Sequence, residues 1–337
     1  MQPADSALGL TLRELDPLLA GDTVTELCIN RPGEAFIESA AGWSRLAVPF
    51  ATFDWCVRLG KLVANATQQR IDAQSPLLSA ALPGGERIQI AMPPATQADA
   101  VAITIRKPAP INWSLEQLAQ QGIFERVRRA GAGAVGPQPQ LLALLERRDY
   151  VGFMRTAVRT RQNILVSGPT GSGKTTWTKA LIAEIPAHER LISIEDAREL
   201  VLSGHPTHVR LFYSKGDQGS SRVTPRELLE ACLRMKPDRI LLAELRAEEA
   251  FDYLRNVNSG HPGSITSIHA ASAELAFEQL VLLVKQNDAG RELARADILQ
   301  LVRSLVDVVI QFGVAGRARY IKEIWYGPAR PGAGVHS

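Results

Sequence analysis

"SGPTGSGKTTWTKA", Ser167 to Ala180, follows the apolar run "NILV" and leads into a stretch with helical spacing. Three glycines there, Gly168, Gly171 and Gly173, can take backbone angles closed to other residues and let a ligand touch the main chain. Gly168 to Thr175 fits the pattern GxxxxGK[ST]. Successive backbone N–H groups in such a loop form a nest for phosphate, with a helix N-terminus behind it. Thr170, Ser172 and Thr176 complete the cradle. Lys174 is expected to reach the β- and γ-phosphates of a nucleotide and the Thr175 hydroxyl to hold Mg²⁺. The plain alternative is an ordinary Gly-rich turn, and the strand before and helix after it favour the phosphate loop.

The rest of the composition narrows the setting. The chain has 337 residues, 45% hydrophobic and 22% charged, which suits two domains with their own cores. A net charge of +3 is too small to argue for nucleic acid, and no direct nucleic-acid contact is expected. Cys28, Cys56 and Cys232 are far apart in apolar surroundings and read as free thiols of a reducing compartment. The cysteines and histidines have no zinc-like spacing. No apolar run is long enough to span a bilayer, and the N-terminus carries acids where a signal peptide is basic then apolar. The chain reads as cytoplasmic, with any membrane role arriving through partners.

Residues 1–110 have an α+β texture. "VTELCIN" and "AFIES" are short strands around the turn "RPGE", and "FDWCVRLGKLVANATQQ" places Trp55, Cys56, Leu59, Leu62 and Val63 on one helical face. "ERIQIAM" and "AVAITIRK" alternate as half-buried strands do. Residues 111–140, rich in Gly, Ala and Pro toward the end, read as a linker. From 141 to 337 helical patterns alternate with the apolar runs "NILVSG", "LISIED" and "RILLAEL", as in a parallel sheet covered on both faces.

Acids close two of these runs. Leu191–Ile194 is followed by Glu195 and Asp196, and Ile240–Leu242 by Ala243 and Glu244, with Arg246 just beyond. Ligands of open α/β sheets bind at the carboxyl ends of strands. Glu195 and Glu244 are therefore candidates to serve metal and attacking water, Glu244 with Thr175 at the metal. Asp196 alone reads equally well as a helix cap. "NSGHPGSITSIHA" places His269 just past another strand pattern, where it can face a γ-phosphate.

"GPTGSGKTT", "SIEDARELVL", "LRMKPDRILLAELR" and "GHPGSITSIHA" stand in the order and spacing of the Walker A, Asp, Walker B and His boxes of the secretion ATPases. The chain resembles this family over roughly residues 20–325, and most closely its type IV secretion and conjugation branch. Three scattered cysteines cannot make the tetracysteine insertion of type II assembly motors, and a pilus retraction signature is absent. The resemblance implies an ATP- and Mg²⁺-dependent hexameric motor, with a RecA-like P-loop NTPase domain behind a smaller N-terminal α+β domain. It implies inner-membrane partners in a bacterial secretion machine and a peripheral place at that membrane. It also gives Arg106 of "AITIRKP" and Arg87 of "LPGGERIQIAMPP" a role at the phosphates, with Arg198, Arg210, Arg222, Arg234 and Arg246 as further candidates. The family's usual Walker B acid is Ala243 here, so Glu244, helped by Glu195, must serve metal and water; the choice of base between them stays open. Alternatives are a type II secretion or pilus assembly motor, a nucleic-acid translocase, and a nucleotide-regulated scaffold.

Lys174→Ala is expected to abolish ATP turnover and weaken ATP binding. A ligand at 100 times its dissociation constant stabilises a fold by ~2.7 kcal/mol, so ATP should raise the melting temperature of the wild type and not of the variant. An equal rise in both would refute the loop assignment.

Overall fold

Short alternating runs joined by tight turns pair antiparallel, and the first hundred residues do so. The computed structural model describes residues 6–21, 23–108, 115–120, 122–125, 138–214 and 221–327. After helices α1 (Ala7–Arg13) and α2 (Asp16–Leu19) come strands β1 (Glu26–Arg31), β2 (Gly33–Ser39) and β3 (Gly42–Val48). Helix α3 (Phe53–Ala66) then leads to β4 (Leu77–Ala81), β5 (Arg87–Ala91) and β6 (Ala102–Arg106). The six strands form one antiparallel sheet in the order β3-β2-β1-β6-β5-β4. Thr52 caps α3 by accepting the Trp55 amide at 3.2 Å. The helix buries Trp55, Cys56, Leu59 and Val63 as expected, with Leu62 half-buried at the margin. These side chains pack with Leu27, Ile29, Ile88, Ile90, Ile103 and Ile105 in a core of their own.

The opposite face of this sheet differs from its sequence pattern. Alternation in "ERIQIAM" and "AVAITIRK" predicts a wet polar face, yet Gln89 and Thr104 are each 1% exposed. The reason is that the second half of the chain covers that face. Ala91, Ala95 and Ala102 join its core.

Of the segment 111–140, helix α4 (Leu115–Gln120) is described, as is the start of α5 (Gln138–Glu146), which takes up the last three of those residues. Most of "RRAGAGAVGPQPQ" lies outside the described residues, as do 1–5 and 328–337. Then follow α6 (Tyr150–Arg159), β7 (Ile164–Ser167), α7 (Lys174–Ala183), β8 (Leu191–Glu195), β9 (His208–Phe212), α8 (Pro225–Cys232) and β10 (Arg239–Leu242). Next come α9 (Glu249–Asn258), β11 (Ile265–Ile268), α10 (Ala273–Val284), α11 (Asp288–Arg291), α12 (Arg295–Leu305) and the hairpin β12 (Val308–Ala315) and β13 (Ala318–Tyr326).

Strands β10-β8-β9 pair in parallel, and β11-β7-β12 do likewise with β13 antiparallel at the end. Between the two ladders the join is sparse: Ser264 Oγ donates to Ile240 O at 2.8 Å, Ser267 Oγ to Ala243 O at 2.9 Å, and one amide, Leu245 N, to Ser267 O at 2.9 Å. The apolar runs β7, β8 and β10 are buried along their whole length, with apolar cores on both faces. Cys28, Cys56 and Cys232 are buried free thiols.

A buried arginine fastens the two halves. Arg190, 0% exposed, donates from Nη1 to Asn30 Oδ1 (2.9 Å) and Thr207 Oγ1 (2.8 Å), from Nε to Met235 O (2.9 Å) and from Nη2 to Thr104 Oγ1 (3.4 Å). Its guanidinium lies 5.7 Å from the centre of the Trp43 ring. Phe212 N donates to Ala95 O at 2.9 Å, Arg31 Nη2 to Pro206 O at 2.8 Å and Lys236 Nζ to Glu38 Oε2 at 2.6 Å, extending the seam.

Replacing Arg190 by Ala strands these buried acceptors at once. The expected cost is roughly 2–4 kcal/mol, read as a lower midpoint in urea unfolding. An unchanged midpoint would mean that the seam is held elsewhere.

Candidate functional site

Parallel pairing puts the carboxyl ends of β7, β8, β10 and β11 on one side, where a cavity of about 360 Å³ opens. Its floor is the loop after β7, from Thr170 to Thr176, with Lys174 and Thr175 opening α7. Gly171 and Gly173 have φ of +74° and +95°, a region that L side chains rarely enter, and a Cβ on Gly171 would meet nothing within 4 Å. The backbone is thus bare on its outer side, as close approach of an anion requires. Ser172 is 1% exposed, yet its hydroxyl has no hydrogen-bond partner. Lys174, 8% exposed, gives its ammonium to Gly168 O at 2.8 Å and Pro169 O at 3.1 Å. Burial pulls the lysine below its usual pKa; Glu244 opposes the shift and Arg246 reinforces it. A buried cation met by two carbonyls and a histidine ring but by no carboxylate bond, an orphaned hydroxyl and an open run of amides fit a phosphate chain.

Glu244 and His269 enter the same cavity, each one or two residues past a strand end. His269 Nδ1 lies 3.3 Å from the Lys174 ammonium, and its Nε2 lies 2.6 Å from Glu244 Oε1, without the alignment of a hydrogen bond. Arg246 Nε donates to Glu244 Oε2 at 2.5 Å, and its Nη1 to Asp196 Oδ2 at 2.9 Å. Asp196, which from sequence reads equally well as a helix cap or a site acid, lies in the cavity wall.

Glu195 does not line the cavity. It is 0% exposed, and its two oxygens take five donors. Arg210 grips both, at 2.9 and 2.8 Å; Ser193 Oγ adds one bond at 2.7 Å, and the amides of Glu199 and Leu200 add two at 2.9 Å. A carboxylate has about four lone-pair sites, so Glu195 has no capacity left for metal or water. Its geometry shapes the turn after β8 that carries Asp196 and Glu199.

Arg87 and Arg106 also stand apart from the loop. They line a second cavity, of about 430 Å³, with Arg234. Arg234 precedes β10 and Glu244 follows it, so the two cavities lie at opposite ends of that strand, about 13 Å long. Arg210 serves Glu195, Arg246 is at the loop cavity, and Arg198 lies with its guanidinium 5.2 Å from the Phe212 ring centre.

Three cavity residues escape the sequence reading, Glu199, Ser267 and Arg319. Glu199 accepts the Thr175 hydroxyl at 3.2 Å. Its signal was present, an acid just past a strand-end acid in "EDARE", but Glu195 drew the assignment. Arg319, at the start of β13, runs its stem beside Gly173. It lies so far along the chain that no local pattern could link it to the loop. Among the described residues no group of three or more His, Cys, Asp or Glu is placed to hold a metal ion, so Mg²⁺ here would rest on Thr175, one carboxylate, phosphate and water. No helix among them is long and apolar enough to cross a membrane.

Comparison with known proteins agrees with this geometry. The type IV secretion system protein VirB11 of Brucella suis biovar 1 is 47% identical over 328 residues, covering 96% of this chain and 91% of that protein. VirB11 of Bartonella quintana is 43% identical over 340 residues, covering 96% and 95%. The crystal structure of the VirB11 ATPase from the Brucella suis type IV secretion system, in complex with sulphate, superposes with a TM-score of 0.91, covering 96% of this chain and 95% of that one at 47% identity. The family described as Type II/IV secretion system protein matches residues 14–315, and this chain belongs to it.

Proposed function

We propose that this chain is an ATPase that powers a bacterial type IV secretion machine, working as a homohexameric ring peripheral to the cytoplasmic face of the inner membrane. One observation carries the reading: a buried phosphate-loop lysine, a threonine hydroxyl, a strand-end carboxylate and a histidine meet in a single cavity. Kinship with secretion proteins and with a solved secretion ATPase supports it. In this reading residues 1–110 are the smaller α+β domain, 111–140 the connection, and 141–337 the RecA-like P-loop domain.

ATP supplies the bond that is split, and Mg²⁺ neutralises charge on the phosphates. The chain's own residues do the rest. The amides of Gly171 to Thr176 and the Lys174 ammonium bind the phosphates. Thr175 and Glu244 hold the metal and its waters. Glu244, close to His269 and Arg246 in the cavity wall, is the residue that orients and deprotonates the attacking water. Glu195 holds the turn that places Asp196 and Glu199. His269, between Lys174 and Glu244, is placed to sense loss of the terminal phosphate and pass it to β11.

Arg87 and Arg106 reach phosphate in a ring only from another copy, because their own loop lies at the far end of β10. An arginine so placed is worth ~10³–10⁵ in rate. Partners at the membrane receive the motion.

Glu244→Gln is expected to keep an ATP-dependent rise in melting temperature and to lose at least tenfold in turnover. Glu195→Gln should act differently, destabilising the fold by roughly 3–5 kcal/mol because Arg210 loses its buried counter-charge. If Glu244→Gln retains more than half of the wild-type rate, the assignment of the base is wrong. The ring has a separate test. Lys174→Ala chains should be inactive and Arg106→Ala chains should keep only a small residual rate, and mixing them before assembly should raise turnover well above it, since some loops then meet an intact arginine of a neighbour. Failure of every mixture to exceed the Arg106→Ala rate would overturn the shared site.

A further inference from the structure

Arg106 stands in a cross-strand row. Glu26 of β1 pairs with it on one side and Arg87 of β5 on the other. Like charges directly opposite each other destabilise an antiparallel pair, so the Arg87–Arg106 contact needs compensation. Glu26 supplies it. Its carboxylate is 1% exposed, and Oε1 meets Nε of Arg106. Oε2 is buried without a hydrogen-bond partner.

The atom engaged matters. Nε is the stem-side nitrogen of the guanidinium. The outer Nη1/Nη2 edge, the one that makes the two-pronged contact with phosphate, takes no part in the Glu26 pair. Arg106 itself is still partly open to solvent, with 44% of its side chain exposed at the wall of the arginine-lined cavity. One end of the group is thus pinned inside the sheet and the other is presented outward. A flexible arginine would have to give up several rotatable bonds on meeting an anion, and a pinned one has already done so. Burial also raises the Glu26 pKa, against the pull of Arg106, so this carboxylate is kept in an expensive place.

We propose that Glu26 is a positioning residue for Arg106, holding its guanidinium by Nε so that the outer fork is preset for the phosphates of a neighbouring copy. The proposal rests on the reading of Arg106 given above. Its test uses the full chain and four variants, Glu26→Leu, Glu26→Gln, Arg106→Ala and the Glu26→Leu/Arg106→Ala double, whose ring formation and melting are checked first. Glu26→Leu removes both charge and acceptor, and Glu26→Gln keeps an acceptor in the same place.

Glu26→Leu is expected to lower kcat for ATP at least tenfold with KM changed less than threefold, and Glu26→Gln to recover to within about threefold of wild type. Added to Arg106→Ala, Glu26→Leu should cost nothing further, because the group it positions is gone. Should Glu26→Leu fail to fold, Glu26→Asp, which keeps the charge but draws the acceptor back by one methylene, takes its place with the same expected loss. Wild-type kcat in the Glu26 variant beside a large loss in Arg106→Ala would overturn the positioning role and leave the reading of Arg106 intact. So would a Glu26 effect that persists in full on the Arg106→Ala background. Wild-type kcat in Arg106→Ala itself would overturn the reading of Arg106, and this proposal with it.

Discussion

The buried guanidinium of Arg190 is the constraint from which the arrangement of the molecule follows. A charge taken wholly out of water is tolerated only when its donors are met. No carboxylate faces these donors. Instead Asn30 and Thr104 come from the first sheet, and Thr207 and Met235 from the second half of the chain. Neither half can satisfy Arg190 alone, so the two must meet in this register. Arg190 immediately precedes β8, so this part of the seam lies at the end of the parallel strands opposite the phosphate loop, and the seam runs from there along β9 to Phe212 at its carboxyl end. That single placement explains why Thr104 and Gln89 are dry, why the exposed edge of β9 is covered by the Ala95 carbonyl, and why Arg87 and Arg106 stand away from their own Lys174.

Much of this was legible in the chain. The loop from Gly168 to Thr176 carries its own backbone requirements, and β7, β8 and β10 are runs too apolar to lie anywhere but inside a covered sheet. Glu244 and His269 were found because parallel strands bring their ends together. What escaped was set by contacts across long separations. Thr104 alternates with isoleucines exactly as a solvent-facing residue would, and only the arrival of Arg190 from 86 residues away makes it internal. Glu195 has the strand-end position of a catalytic acid, but Arg210 on the neighbouring strand takes both its oxygens. Nothing near either residue in sequence announces the pairing. The domain seam, the hairpin β12–β13 and Arg319 share that property.

The serines of "GSITSI" illustrate how one segment can serve two levels at once. Their alternation with isoleucine reads as a strand, and β11 is one. Yet Ser264 donates to a carbonyl of β10 and Ser267 to that of Ala243 just past it, where no regular ladder runs. A join of two side-chain hydroxyls and one amide is more yielding than a full ladder of amides, because two of its three bonds turn on a rotatable side chain. It lies between Glu244, at the end of β10, and His269, at the end of β11. The two residues closest to the proposed chemistry are therefore carried on strands that are joined less rigidly to each other than to their own sheets.

This bears on how charge could become motion. Without ligand the cavity is nearly balanced: Lys174 and Arg246 face Glu244 and Asp196, and His269 spans the gap between lysine and glutamate. A polyphosphate adds several negative charges to this set. In the proposed reading Lys174 and Arg246 would be drawn toward it, each leaving a partner behind, the loop carbonyls in one case and Glu244 in the other. His269 touches both ends of that exchange. Its backbone continues β11, and Gly168 N donates to Ile268 O at 3.3 Å, tying the same strand to the phosphate loop. A shift of the charges at the loop therefore acts on β11 from two sides, through the side chain of His269 and through the backbone before it. Strand β10 meets the cavity through Glu244 and meets β11 through Ser264, Ser267 and the Leu245 amide. In the proposed reading a difference between the two strands would fall on the join at Ser264 and Ser267, where fewer hydrogen bonds than in a ladder hold them together.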